Sequence, residues 1–180
     1  MEKRKKNAGK VFEDDFKQSI PEWCLLQRLN DAPQAFAQSN LTRFTHKQPC
    51  DFILFDTMNQ ILYFLELKTT KNRAITFEDI DSKEKQNKMI HKHQITGLLE
   101  RAKYKNVCCG FLFNFRDEDT GIEKTYFQDI NSFMDMYRRI GKKSFNETDM
   151  GIYKTKKVFG DKKISRYRWD ISSLVQGMYA

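Results

Sequence analysis

The stretch Asp51-Phe52-Ile53-Leu54-Phe55-Asp56-Thr57-Met58-Asn59-Gln60-Ile61-Leu62-Tyr63-Phe64-Leu65-Glu66-Leu67-Lys68-Thr69 decides the reading of this chain. Two apolar runs, 51 to 55 and 61 to 69, flank a polar, turn-forming segment, which predicts a β-hairpin. Residues two apart in a strand share a face, so Glu66 and Lys68 point the same way, and an antiparallel partner can bring Asp51 alongside them. Two carboxylates and a lysine converging at a sheet end are expensive as unpaired core charges. They make chemical sense around a divalent cation. Mg²⁺ takes hard oxygen ligands and keeps several waters, one of which can attack a phosphate, while a lysine orients that water or stabilises the growing charge. The same three residues also fit an ordinary exposed strand, because so short a pattern arises by chance.

Working outward, Val11, Phe12, Phe16 and Ile20 recur at helical spacing and predict an amphipathic helix over residues 10 to 20, closed by Pro21. Trp23 to Leu29 reads as a strand, and Asn30 to Pro49 as a polar loop containing Arg43. After an irregular charged segment, 78 to 89, the residues Ile90, Ile95, Leu98, Leu99 and Ala102 mark a helix ending near Tyr104. Val107 to Phe115 is apolar on both faces and reads as a central buried strand. Lys124 to Phe127 adds a short strand, Ser132 to Ile140 a helix, and the tail a hairpin turning at Gly160-Asp161 before a short helix from Ile171. The order helix, strand, hairpin, helix, strand predicts an α/β domain with a mixed sheet. We divide the chain into a basic flexible arm, 1 to 10, and a single domain, 11 to 180, with its core over about 11 to 140.

Charge is segregated. Between Arg138 and Arg168 eleven Lys or Arg face Glu147, Asp149 and Asp161, a surplus equal to the net charge of the whole 180-residue chain, +8. Tyr153, Phe159, Tyr167 and Trp169 are interleaved among these cations. Such a patch attracts a polyanion, since each neutralised phosphate releases condensed counterions, and Lys156, Lys157, Lys162 and Lys163 are its candidate contacts. The alternative is a solvated lysine-rich face that keeps the protein soluble. No run approaches the roughly 20 apolar residues that span a bilayer, and no apolar segment follows the basic start, so a cytoplasmic protein is expected. The four cysteines include the adjacent Cys108 and Cys109 and form no C-x-x-C pair, which suggests neither a disulfide framework nor a zinc knuckle.

The pattern Pro49-Cys50-Asp51 with Glu66-Leu67-Lys68 resembles the PD-(D/E)xK nuclease signature, with Cys50 inserted between Pro and Asp. More specifically, the chain resembles the RecU-type Holliday junction resolvases, above all their smaller phage-borne relatives. The residues that carry this are Gly9-Lys10-Val11-Phe12-Glu13, Cys50-Asp51-Phe52, Glu66-Leu67-Lys68-Thr69-Thr70-Lys71-Asn72, His93-Gln94-Ile95 and Gly110-Phe111-Leu112-Phe113-Asn114-Phe115, in the correct order from about residue 9 to 116. The resemblance implies a restriction-endonuclease-like core, with a mixed central sheet flanked by helices. It implies a Mg²⁺-dependent endodeoxyribonuclease, with Mn²⁺ substituting, that resolves four-way junctions by paired nicks as a homodimer. Asp51 and Glu66 would be metal ligands, Lys68 the transition-state stabiliser, and Gln94 would complete the metal site through its amide oxygen. Glu13 matches an acidic position near the metal, or is simply an exposed helix glutamate. Thr70, Lys71 and Arg73 would contact phosphates beside the scissile strand, with Arg43 a further DNA contact.

Two departures stand out. Bacterial members carry a threonine ligand where this chain has Pro49, and a long stalk where it has only the twenty residues Asn30 to Pro49. Junction selectivity is therefore less firmly implied than metal-dependent cleavage. The rival readings are another nuclease of the same fold, cutting flaps or duplex, and a protein without activity that binds nucleic acid or serves as a partner-binding adaptor. Neither a membrane nor a small-molecule cofactor is implied. His91 reads as a solvent or phosphate contact, His93 as a neighbour of Gln94, and Cys50, Cys108 and Cys109 as core packing residues.

Overall fold

Asn7 starts the first helix: its side-chain oxygen accepts the Gly9 N–H at 3.0 Å and so satisfies one of the donors a helix start leaves unpaired. A computed structural model of the chain describes residues 7–29, 48–71, 74–84 and 86–175. Helix α1 (Ala8–Lys17) therefore begins two residues before the position the apolar spacing gave, and Ala8, Gly9 and Lys10 are helix, not arm. It ends at Lys17, ahead of Ile20 and Pro21. The rest of the expected arm, residues 1–6, lies outside the described residues, as do Arg43 and most of the polar loop.

Strands β1 (Cys24–Arg28), β2 (Phe52–Asp56) and β3 (Ile61–Thr70) form an antiparallel meander, with Phe52 opposite Leu65 and Asp56 opposite Ile61. The β2–β3 turn is held by Asp56, which accepts the N–H groups of Met58 and Asn59 at 3.0 and 3.2 Å. After the short strand β4 (Ala74–Thr76), helix α2 (Lys92–Arg101) crosses back so that β5 (Val107–Arg116) runs parallel to β3. A dozen or more residues, including a helix, are what such a parallel crossover needs. Ile90, expected inside this helix, instead forms an isolated bridge with Phe77. Strand β6 (Glu123–Asp129) returns antiparallel to β5, helix α3 (Ile130–Arg139) follows, and β7 (Ser144–Asn146) pairs with β4. Helix α4 (Glu147–Ile152) and edge strand β8 (Lys156–Val158) precede the hairpin β9 (Gly160–Lys163) and β10 (Arg166–Trp169) and the last helix, α5 (Ile171–Val175).

The chain is thus α/β, with a six-stranded mixed sheet in the order β1-β2-β3-β5-β6-β8 and helices on its faces. Strand alternation divides the core in two. Tyr63, Leu65 and Leu112 pack with Phe12 and Phe16 of α1 and with Trp169 and Leu174 of the tail. Phe111, Phe113 and Phe115 pack on the other side with Ile95, Leu98, Phe133 and Phe145. Cys108 and Cys109 fall in opposite clusters, as adjacent residues of a buried strand must.

The tail hairpin turns at Ile164-Ser165, not at Gly160-Asp161. Gly160 opens β9 opposite Trp169, and a Cβ there would lie 2.3 Å from the indole ring. The glycine serves a close approach, not a turn.

Candidate functional site

Where β2 begins and β3 ends, the hairpin register sets Asp51 beside Glu66 on the face covered by α2. The backbone N–H of Asp51 donates to Leu65 O at 3.1 Å, and the Asp51 carboxylate accepts the Leu67 N–H at 2.8 Å. Lys68 Nζ lies 2.8 Å from Glu66 Oε1, with the Glu66 side chain only 3% exposed. From α2, Gln94 donates its amide N–H to the same Glu66 oxygen. Its amide oxygen accepts the His91 N–H at 2.9 Å. The nitrogen of Gln94 therefore faces Glu66, and a rotation of the amide would be required to present the oxygen instead.

Glu13 approaches from α1, its carboxylate 2.7 Å from Arg28. It is close enough for its charge to be felt at both Asp51 and Glu66. Four expected residues, Asp51, Glu66, Lys68 and Gln94, are thus brought together, with Glu13 at their edge. Arg28 was not anticipated, because its pairing with Glu13 joins α1 to β1 through the fold and leaves no local pattern.

Burial dominates the electrostatics of the pair. It pushes the Glu66 carboxyl up to about 7, against the pull of Lys68 and aided by the charge of Asp51. Burial also raises Asp51, opposed by the Leu67 hydrogen bond and by Lys68, and aided by Glu13. Two acidic groups that resist ionisation side by side are the arrangement a divalent cation relieves. Among the described residues no group of three or more His, Cys, Asp or Glu side chains is placed to hold a metal. The oxygen donors brought together are the carboxylates of Asp51 and Glu66, with the Gln94 amide oxygen turned toward His91; hard oxygen donors of this kind are the type Mg²⁺ prefers. Cys50 is nearer this site than its packing role suggested. Burial raises its thiol to about 12, and the charges of Glu66 and Asp51 add to that. The thiol is inert at neutral pH.

The expected phosphate contacts divide. Thr70 is 5% exposed and turned into the fold, so it cannot offer its hydroxyl to a strand on the surface. Lys71 is exposed and paired with Glu118. It lines a cleft of about 720 Å³ just beyond the end of β3, shared with Arg116, Lys124 and Glu147. Arg73 lies outside the described residues. Lys156 is drawn inward, its ammonium donating to Leu174 O at 3.2 Å. Lys157, Lys162 and Lys163 are exposed. Of the interleaved aromatics, Tyr167 and Trp169 are core, while Phe159 is exposed beneath Lys157.

At the start of α2, His91 Nδ1 lies 2.9 Å from Glu78 Oε1, and its ring stacks on His93 with centroids 5.6 Å apart. The His91 backbone N–H, bonded to the Gln94 amide oxygen, is what links this pair to Glu66. Among the described residues no helix is long and apolar enough to cross a membrane.

No family model matches the chain. Over 143 residues it is 33% identical to the "SPbeta prophage-derived uncharacterized protein YotM" of Bacillus subtilis (strain 168). The match takes in 79% of this chain and 65% of that protein, a little under two thirds of its length.

Proposed function

We propose that the chain is a divalent-metal-dependent DNA endonuclease with a restriction-endonuclease-like core, acting on branched DNA and above all on four-way junctions. One observation carries the reading: Asp51, the Glu66–Lys68 pair and Gln94, from three separate segments of the chain, converge at the sheet with Glu66 almost wholly buried. A solvated strand face has no reason to bury a carboxylate there, since an isolated charge in the interior costs several kcal/mol, about what a specific partner must repay. Asp51 and Glu66 would hold Mg²⁺, joined by Gln94 after its amide rotates. A cation bound there supplies charge neutralisation on the phosphate and an acidified water.

The chain's own residues do the rest. Lys68, on the same strand face as Glu66, supplies hydrogen bonds to charge developing on the phosphate oxygens. Glu13, steadied by Arg28, adds negative charge that favours the cation. Exposed Lys157, Lys162 and Lys163 hold the DNA backbone. Paired nicking of a two-fold junction calls for two sites, so the active species is a homodimer. The prophage origin in the relative's name agrees with an enzyme working inside a bacterial cell, on host or phage DNA.

The test is cleavage of a labelled synthetic four-way junction beside linear duplex of the same sequence, with Mg²⁺, with Mn²⁺ and with EDTA. Symmetric nicks confined to the junction and lost in EDTA support the whole reading. Equal cutting of the duplex keeps the metal nuclease and removes the junction preference. Tight binding without cleavage in either metal overturns the nuclease.

A further inference from the structure

The hairpin of β9 and β10 carries a side chain that folding does not explain. Ile164, the first residue of its two-residue turn, is fully exposed and has φ 47°. A positive φ at that position is the place of glycine, and a β-branched residue there is strained. Strain with no buried contact to offset it directs attention to what lies outside the molecule.

The surroundings name the partner. Lys162 and Lys163 sit immediately before the tip and are exposed; the hairpin's one acid, Asp161, makes only a long, solvent-exposed pair with Lys163 at 3.8 Å. Arg166 and Arg168 turn inward and anchor it. Arg166 Nε meets Asp15 of α1 at 2.5 Å, and Arg168 hydrogen-bonds Gln18. Trp169 packs edge-on against Phe12 and stacks on Tyr167 at 5.0 Å. The base is therefore rigid while the apolar tip is bare.

Its placement is equally specific. Lys162 Nζ and the Tyr167 hydroxyl both donate to Gly121 O, at 3.4 and 3.2 Å, in the β5–β6 loop. The same loop supplies Glu118, the partner of Lys71, which follows the strand bearing Glu66 and Lys68. The hairpin thus lies toward the same end of the sheet as the carboxylates, packed against α1 on the face opposite the one that α2 covers.

We propose that the β9–β10 hairpin is a wedge for branched DNA, its Ile164 side chain entering the branch point against the last base pair while Lys162 and Lys163 hold the flanking phosphates. This rests on the nuclease reading above and deepens it by naming how an open branch is told from intact duplex. Apolar side chains inserted between base steps are an established way to unstack DNA, and the lysines supply the attraction that offsets the cost. The same tip of a second copy is a poor occupant, because it would set two pairs of exposed lysines against each other.

The experiment uses a four-way junction with 2-aminopurine beside the branch point, bound in EDTA so that no strand is cut. Wild-type protein is expected to raise the fluorescence about two- to fourfold as the base unstacks, with Ile164→Leu close to wild type. Ile164→Gly, which suits the turn and so folds, is expected to keep junction affinity within about threefold but lose most of the rise. An undiminished rise with Ile164→Gly overturns the wedge. No rise with wild-type protein that still nicks junctions overturns the wedge and leaves the nuclease standing. Wild-type protein that neither binds nor cuts DNA overturns both. A change in sedimentation with Ile164→Gly, without change in fluorescence, reassigns the tip to contact between copies.

Discussion

Glu66 governs the chemistry at the residue scale, and its burial sets a pH dependence opposite to that of most carboxylates. Its folded-state value of about 7 lies above the ordinary 4.5, so the folded state prefers the protonated form. The stability it contributes is complete below about pH 4.5 and is lost as pH rises through about 7. Glu66→Gln is therefore expected to be near neutral in thermal melts at pH 4.5 and to raise stability by about 1–3 kcal/mol at pH 8 in EDTA. A melt difference that does not change with pH contradicts this account. Mg²⁺ on the wild-type protein should act in the same direction, raising Tm more at pH 8 than at pH 5, and Glu66→Gln should abolish that gain. Asp51→Asn separates chemistry from structure. The amide oxygen can still accept the Leu67 N–H, so folding and junction binding should survive while cleavage falls by about 10³-fold or more. Loss of the cooperative melt instead would make Asp51 a structural residue.

At the scale of elements, glycine shows where sequence reading succeeds and where it stops. The β2–β3 hairpin was legible because alternation, a polar turn and a buried face agree within twenty residues. The β9–β10 hairpin was legible only as a hairpin. Gly160 signals a turn in local chemistry, yet it is needed because Trp169, nine residues on, lies against it. The start of α1 was available in the capping preference of Asn7, but the apolar spacing begins at Val11 and outweighed it. Strands β4, β7 and β8 are three residues each, too short for any periodicity to declare them. The distinction predicts opposite signs for one substitution. Gly160→Ala, driven into the indole, should destabilise by about 2 kcal/mol in urea melts. Gly151→Ala, with nothing within 4 Å of its new methyl, should stabilise α4 by about 0.5 kcal/mol. Equal effects would mean that Trp169 yields.

Across the whole molecule, the charge separation in the sequence survives folding but is sharpened by it. The positive stretch from 138 to 168 is not one surface. Lys142 pairs with Asp149 and Lys143 with Asp79, Lys156 is tied to α5, and Arg166 bonds to Asp15. Of the rest, Arg138, Arg139 and Lys154 are exposed, as are Lys157, Lys162 and Lys163 beside Phe159 and Ile164. Composition reveals the surplus; only the tertiary partners, drawn from α1, α4, α5 and the segment after β4, decide which cations are tied internally. The binding consequences follow from that division. Replacing Lys157, Lys162 and Lys163 together by Ala should lower the slope of log affinity against log salt for the junction by about 2–3, one released counterion for each phosphate contact. Lys142→Ala with Lys143→Ala, equal in formal charge per residue, should change the slope by less than about 1, because both ammonium groups already have carboxylate partners. If the two sets weaken binding alike, DNA responds to the diffuse positive field of the tail, and no particular face of it meets the phosphates.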